Sequence, residues 1–214
     1  RLLRTTCGVC LIFCTSLTAF AQTETDECTA HSSRIWADQG NAFAQMEIGI
    51  CYSNAGDDEQ AVSWYQKAAE QGQAIAQTLL GASYSAGRGM PQDDEQAVSW
   101  YQKAAQQGEA IAQLNLGMMY RAGRLVPQDD GQAASWYQKA AEQGEANAQQ
   151  NLGAMYYSGQ GVPQSYQECY FWFILAVAQG AEESIADRDL CKSNLTPSVI
   201  EDVRRKAAIY FEKF

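Results

Sequence analysis

Three stretches of this chain read W-Y-Q-K-A-A-x-Q-G, starting at Trp64, Trp100 and Trp136, with a spacing of 36 residues both times. A fixed period of this size marks a stacked repeat, in which each unit is one supersecondary element that cannot bury its apolar face alone. The unit Gln73–Gly108 shows the plan. Gln73–Ser85 carries no proline and places Ala76, Leu79, Leu80 and Tyr84 at helical spacing, which predicts a first helix, A. Gly87-Arg88-Gly89-Met90-Pro91 must break it, because glycine frees the backbone and proline cannot continue the ladder. Asp93 or Asp94 then caps a second helix, B, whose inner face carries Ala97, Trp100, Tyr101 and Ala104, and Gly108 ends it. Units from Glu109 and Glu145 repeat the plan, with loops at Gly123–Pro127 and Gly159–Pro163. An earlier unit from Asn41 has a shorter loop at Asn54-Ala55-Gly56-Asp57. The expected fold class is all-α, an α/α superhelical solenoid of stacked antiparallel helix pairs. The repeated tryptophans are expected to pack in its core.

The flanks depart from the repeat, as terminal units of a solenoid must. Trp172 keeps the register, but its surroundings become Tyr170-Phe171-Trp172-Phe173-Ile174-Leu175, apolar enough to lie under a cap. Thr196 reads as the N-cap and Pro197 as the first turn of a last helix through Lys213. Thr25–Asp38 reads as a capping helix that ends at Gly40. Before it, Arg1 and Arg4 precede a mostly apolar run, Cys7–Phe20, and Ala19-Phe20-Ala21 is a small-x-small cleavage site. This is the layout of a secretory signal peptide. The run is shorter than the ~20 residues a spanning helix needs, so the mature form is expected not to span a membrane. The expected organisation is a leader over 1–21, a capping helix over 22–40, about four repeats over 41–180, and capping helices over 181–214.

Cleavage after Ala21 would remove Cys7, Cys10 and Cys14 and leave Cys28, Cys51, Cys169 and Cys191, an even count that in an exported chain points to two disulfides. It would also take two arginines and no acids, moving the net charge from −10 to −12. A domain this acidic is a poor partner for nucleic acid or anionic lipid.

The pattern Leu116-Gly117, Tyr120, Gly123, Val126-Pro127-Gln128-Asp129, Ala133, Trp136-Tyr137 and Lys139-Ala140-Ala141 closely resembles the Sel-one-like repeat, a relative of the tetratricopeptide repeat. Leu80-Gly81, Tyr84 and Gly89 carry it one unit earlier, and Leu152-Gly153, Tyr156 and Gly161-Val162-Pro163 one unit later. The resemblance covers roughly residues 41–180. It implies an α/α superhelix and a role in protein–protein interaction, often as an adaptor, with exported bacterial members in the periplasm or outside the cell. A cysteine-rich branch of the family carries a disulfide in each repeat and is linked to penicillin binding or β-lactamase activity. The central repeats here have no cysteine pair.

The repeat makes the cysteine positions informative. Residues equidistant from the turn between antiparallel helices lie side by side. Cys169 and Cys191 are centred on Gly180, a Gln-Gly turn, and Cys28 and Cys51 are centred between Gln39 and Gly40, another such turn. The expected pairs, among three connectivities open to four cysteines, are Cys28–Cys51 and Cys169–Cys191, a clip at each end.

Little in the chain suggests catalysis. His31 is the sole histidine, near the start of the first helix. The serine β-lactamase signature is absent: Ser63 and Lys67 are four apart, not three, and recur with the repeat. The zinc H-E-x-x-H, phosphate-loop and dinucleotide fingerprints are also absent. Asp57-Asp58-Glu59 and Asp93-Asp94-Glu95 sit at helix starts, where acids favour the dipole. No cofactor and no metal are expected, and the chain is not expected to be an enzyme.

Comparison of the central A helices locates a different kind of site. Ala74, Ala76, Gln77 and Gly81 recur unchanged at Ala110, Ala112, Gln113 and Gly117, and at Ala146, Ala148, Gln149 and Gly153. Ile75, Thr78, Ala82 and Ser85 become Ile111, Leu114, Met118 and Arg121, then Asn147, Gln150, Ala154 and Tyr157. Spacings of three, four and three put these on one helix face, which the resemblance places on the concave side. Leu114, Met118, Arg121, Gln150 and Tyr157 are therefore expected to form part of a groove for a protein or peptide partner. The expected function is an exported, periplasmic or secreted, interaction scaffold. The alternative, by analogy with the cysteine-rich branch, is binding or hydrolysis of β-lactams or peptidoglycan fragments.

Overall fold

Eight helices of thirteen residues each account for the repeated part of the chain. The structure, a computed structural model, describes residues 31–124 and 126–212. The expected leader, Cys28 and Leu125 therefore lie outside the described residues. The chain divides into two compact units after Gln92. In the first, α1 (His31–Asp38), α2 (Ala42–Asn54), α3 (Asp58–Glu70) and α4 (Ala74–Ala86) pack in sequence, each on the next. In the second, α5 (Asp94–Gln106), α6 (Ala110–Ala122), α7 (Asp130–Glu142), α8 (Ala146–Ser158) and α9 (Tyr166–Ala178) do the same. A 3-10 turn (Glu182–Ser184), α10 (Ile185–Ser193) and α11 (Pro197–Phe211) follow, and both α10 and α11 pack on α9. The fold class is the all-α solenoid of antiparallel helix pairs that the repeat predicts.

Local chemistry sets the boundaries. Each B helix starts on a side-chain cap: Asp57, Asp93 and Asp129 accept from the backbone N–H of Gln60, Gln96 and Gln132 at 3.1, 3.0 and 2.9 Å. Ser165 does the same for Glu168 at 3.2 Å. Such caps satisfy donors that the first turn leaves open. Helix A of the second full repeat starts one residue later than the spacing predicts, at Ala74, because Gln73 is itself the cap, accepting from Ala76 N–H at 2.7 Å. Helices α4, α6 and α8 end on Gly87, Gly123 and Gly159 in the left-handed region, which only glycine enters without strain.

The Gln-Gly that closes α3, α7 and α9 is a fastener as well as a turn. Gln149 in α8 is fully buried, donates to the Ala141 carbonyl of α7 at 3.1 Å and accepts from Gln179, beyond α9, at 2.9 Å. One amide thus ties three successive helices. Gln113 repeats this with Ala105 O and Gln143 (3.2 and 2.8 Å), and Gln45 with Ala37 O and Gln71 (3.0 and 2.7 Å). Buried carbonyls and amides that find partners this way avoid a desolvation cost of about 1–3 kcal/mol each. The helix pairs also approach closely at glycine: a Cβ on Gly117 would lie 2.6 Å from the Tyr137 ring, and one on Gly49 2.6 Å from that of Tyr65.

The tryptophans depart from expectation. Trp64 and Trp172 are buried, but Trp100 and Trp136 are half-buried, and the tyrosine beside each, Tyr101 or Tyr137, fills the interior instead. A lysine ammonium from the following turn lies over each repeat indole: Lys67 at 3.9 Å, Lys103 at 3.8 Å and Lys139 at 4.0 Å from the ring centroid. The repeated Lys of the motif is thus a cation–π partner at the solvent edge of its own helix.

At the C-terminal end, Thr196 caps α11 and Pro197 opens it, as the sequence predicts. α11 covers the apolar helix α9: Val203 and Ala207 are buried, Tyr210 stacks edge-on against Phe171 and Trp172, and its hydroxyl donates to Ala141 O at 3.1 Å. Cys169 and Cys191 form a disulfide between α9 and α10, with Cα atoms 6.0 Å apart. Cys51 is also disulfide-bonded.

Candidate partner-binding face

The A helices of the second unit present one exposed face across α6, α8 and α10. Polar contacts join them edge to edge. Arg121 of α6 donates to Asn151 Oδ1 of α8 at 3.1 Å, and Gln150 of α8 donates to Glu183, in the 3-10 turn before α10, at 3.3 Å. Between α8, α9 and α10 a cavity of about 90 Å³ opens among Ala154, Tyr157, Phe173, Asp187 and Leu190. Large apolar side chains stand in solvent along this face: Ile111 and Met118 on α6, Tyr157 on α8, Ile185 and Leu190 on α10.

Of the five residues expected here, Met118, Arg121 and Tyr157 are exposed, Gln150 is half-buried and Leu114 is buried. Met118 is 52% exposed, one turn before Arg121. Tyr157 is 37% exposed, its ring held edge-on to Tyr166 with centroids 5.8 Å apart, at the mouth of the cavity. Arg121 and Gln150 make the bridging bonds described above. Leu114 does not belong with them. It is 7% exposed and packs in the core with Tyr137, Leu152 and Phe173. The equivalent Thr78 is buried as well, whereas Gln150 is half-buried and reaches Glu183.

Sequence comparison puts Ile111 on this face without naming it among the five, and it does not reach Asp187 and Leu190. Ile111, like Ile75, is about half exposed. Asp187 and Leu190 lie in α10, beyond the repeats expected over 41–180. The face is polarised: Arg121 lies at the α6 side, whereas Glu182, Glu183 and Asp187 cluster around the start of α10. Behind it, burial pushes the Tyr137 phenol above its ordinary pKa, with Arg121 pulling the other way. Among the described residues no group of three or more His, Cys, Asp or Glu is placed to hold a metal ion, and no helix is long and apolar enough to cross a membrane.

A packed interior built from repeated Gln, Gly and Tyr, and an A-helix face that changes from unit to unit, define a helical repeat scaffold. The chain belongs to the Sel1 repeat family, whose profile matches residues 42–73, 74–109, 110–145 and 146–180. The sequence resemblance to this family is thereby met. Among solved structures it is similar to a Sel1 repeat protein from Oxalobacter formigenes, 27% identical with a TM-score of 0.67, over 82% of this chain and 71% of that one. It is also similar to a protective antigen present in uropathogenic Escherichia coli strains that displays an SLR fold, 31% identical with a TM-score of 0.53. That match covers 83% of this chain but 47% of the antigen. Helicobacter pylori cysteine rich protein B matches at 25% identity and a TM-score of 0.49, over 61% of this chain and 93% of that one. No curated protein matches the chain.

Proposed function

We propose that this protein is an exported interaction scaffold that captures an extended segment of a partner protein along α6, α8 and α10. The observation that carries the reading is the row of exposed apolar side chains, Met118, Tyr157 and Leu190, the last two lining a small cavity, interleaved with polar groups that can meet a peptide backbone. Apolar anchors in a polar frame are how helical grooves and flat faces gain affinity from few residues. The Cys169–Cys191 disulfide supports the exported location, since such bonds persist in oxidising compartments. No observation among the described residues favours the β-lactam alternative.

The test is selection of binding peptides from a displayed random library on the intact protein, followed by titration against variants. Met118→Ala, Tyr157→Ala and Leu190→Ala should each weaken the selected peptides by tenfold or more, with circular dichroism unchanged. Selected peptides that bind all three variants as tightly as the parent would remove this face as the site.

A further inference from the structure

The face of α10 turned away from the cavity above borders a second, larger cleft. It holds about 340 Å³ and is formed by three helices. α9 supplies an apolar wall, Tyr170, Ile174, Val177 and Ala178; α10 supplies Arg188, Asp189 and Lys192; α11 supplies Arg204. The chain has 25 acidic against 15 basic side chains, yet three of its cations meet at this one cleft. They are not equivalent. Arg188 is already paired with Asp189, at 2.8 and 3.0 Å. Arg204 donates through Nε to the hydroxyl of buried Tyr170 at 3.3 Å, with Glu201 near it. Lys192 makes no ion pair among the described residues.

We propose that this cleft binds a carboxylate carried on an apolar body, with Lys192 and Arg204 holding the charge and Ile174, Val177 and the Tyr170 ring holding the body. The charge balance selects a singly charged anion. Arg188 is spent on Asp189, and Asp189 at the rim repels a second negative charge such as a phosphate dianion would bring. The apolar wall selects against a bare inorganic anion, which would lose water there without gaining contact. The volume, at about 30 Å³ per water-sized group, admits a ligand of roughly ten non-hydrogen atoms. The cleft is also held open in advance. The Cys169–Cys191 bond joins its two main walls one residue from Tyr170 and from Lys192, so little ordering is left to be done on binding.

Two sources offer this chemistry, a small organic acid and the free C-terminus of a peptide ending in an aliphatic residue. Calorimetric titration of the intact protein with octanoate and with N-acetyl-dileucine separates them, with octanamide and N-acetyl-dileucinamide as uncharged counterparts. At least one carboxylate should bind at submillimolar concentration, its amide at least tenfold more weakly, and raising salt from 20 to 200 mM should weaken the carboxylate alone. Octanoate alone identifies a small-acid site, the dipeptide alone a C-terminus site, and both the shared chemistry. Lys192→Gln and Arg204→Gln should each cost fivefold or more in affinity, whereas Lys139→Gln, the same charge change on α7, should cost nothing. Lys192 makes no ion pair among the described residues, so the melting curve of Lys192→Gln should overlay the parent, whereas Arg204→Gln also loses its bond to the Tyr170 hydroxyl, and Lys192→Gln therefore carries the test of the charge site. The proposal is overturned if neither acid binds below 5 mM, if the amides bind equally well, or if Lys139→Gln weakens binding as much as the cleft variants.

Discussion

Replacing Gly117 with alanine should destabilise this protein by about 2 kcal/mol, although alanine is the better helix former. Gly117 lies mid-helix in α6, where Gly→Ala ordinarily gains about 1 kcal/mol. Here the added Cβ would lie 2.6 Å from Tyr137 Cδ1 and Cε1 and 3.1 Å from Cζ, against an optimal carbon–carbon separation of about 3.5–4.0 Å. The ring must retreat by about 1 Å. It has nowhere to go, being 1% exposed and packed among residues of α6, α7 and α8. Overpacking of this kind costs about 1–3 kcal/mol and occasionally more. With the cost at the upper end, the propensity gain leaves a net loss of about 2 kcal/mol. With a urea slope of about 2 kcal/mol/M, the midpoint should fall by about 1 M.

The molecule contains its own control. At Gly153 the equivalent Cβ would lie 3.0 Å from Phe173 Cδ2 and Cε2, so Gly153→Ala needs a smaller retreat and should cost less than half as much. A double-mutant cycle isolates the cause. In a Tyr137→Leu background, which removes the ring, Gly117→Ala should become neutral or stabilising, a coupling of about 2 kcal/mol. The assay is urea unfolding followed by circular dichroism at 222 nm for all five proteins. A Gly117→Ala protein as stable as the parent, or equally destabilised with and without the Tyr137 ring, would refute the reasoning. Because α6 also carries Met118 and Arg121, a Gly117→Ala protein that pushes α6 off α7 should lose peptide capture as well.

Two further outcomes follow from the same geometry. Removing the Cys169–Cys191 bond as the paired serine variant should cost about 3 kcal/mol by the chain-entropy model for a 22-residue separation, seen first as lost hydrogen-exchange protection in α10; non-reducing peptide mapping should also recover Cys28 linked to Cys51, and a Cys28–Cys191 link would sink the turn-symmetry argument. Burial pushes the phenols of Tyr65, Tyr137, Tyr156 and Tyr210 above the ordinary value, so above pH ~10 the unfolded chain has released protons that the folded chain retains, and stability should fall as pH rises through that window; flat urea midpoints between pH 9 and 10.5 would contradict it.

The parts of this fold that read directly from sequence are those fixed by local chemistry. Asp before a helix, Gly after it and Pro in the loop each act within a few residues, so both ends of α4 fall within a residue of the expected Gln73–Ser85, and the Gln-Gly turn pairs Cys169 with Cys191 by symmetry alone. What did not read was set by contacts between elements. The spacing puts Trp100 and Tyr101 on the same side of α5, and nothing in the string says that the tyrosine takes the interior while the tryptophan stays at the edge under Lys103. Nor does the string say that Gln149 reaches back to Ala141 and forward to Gln179, although its constancy with Gln77 and Gln113 marked it. The same limit explains Leu114. It varies between units on the line of Met118 and Arg121, yet it is buried, because a solenoid repacks its interior slightly at each step.

That separation of constant fasteners from variable surface bears on how a chain like this acquires a function. The side chains that hold neighbouring helices together are repeated Gln, Gly, Tyr and Asp, and each works within or next to its own unit. Stability in such an array is close to a sum of unit and neighbour terms. Met118, Arg121 and Tyr157 contribute little to those terms, since substitutions at exposed positions usually change stability by no more than about 0.5 kcal/mol. The face can therefore be rewritten residue by residue while the scaffold persists. It also follows that loss of binding in Met118→Ala or Tyr157→Ala cannot be blamed on unfolding, whereas loss in Gly117→Ala can. Measured together on one selected peptide, the three variants distinguish a face that recognises a partner from a fold that merely has to be intact.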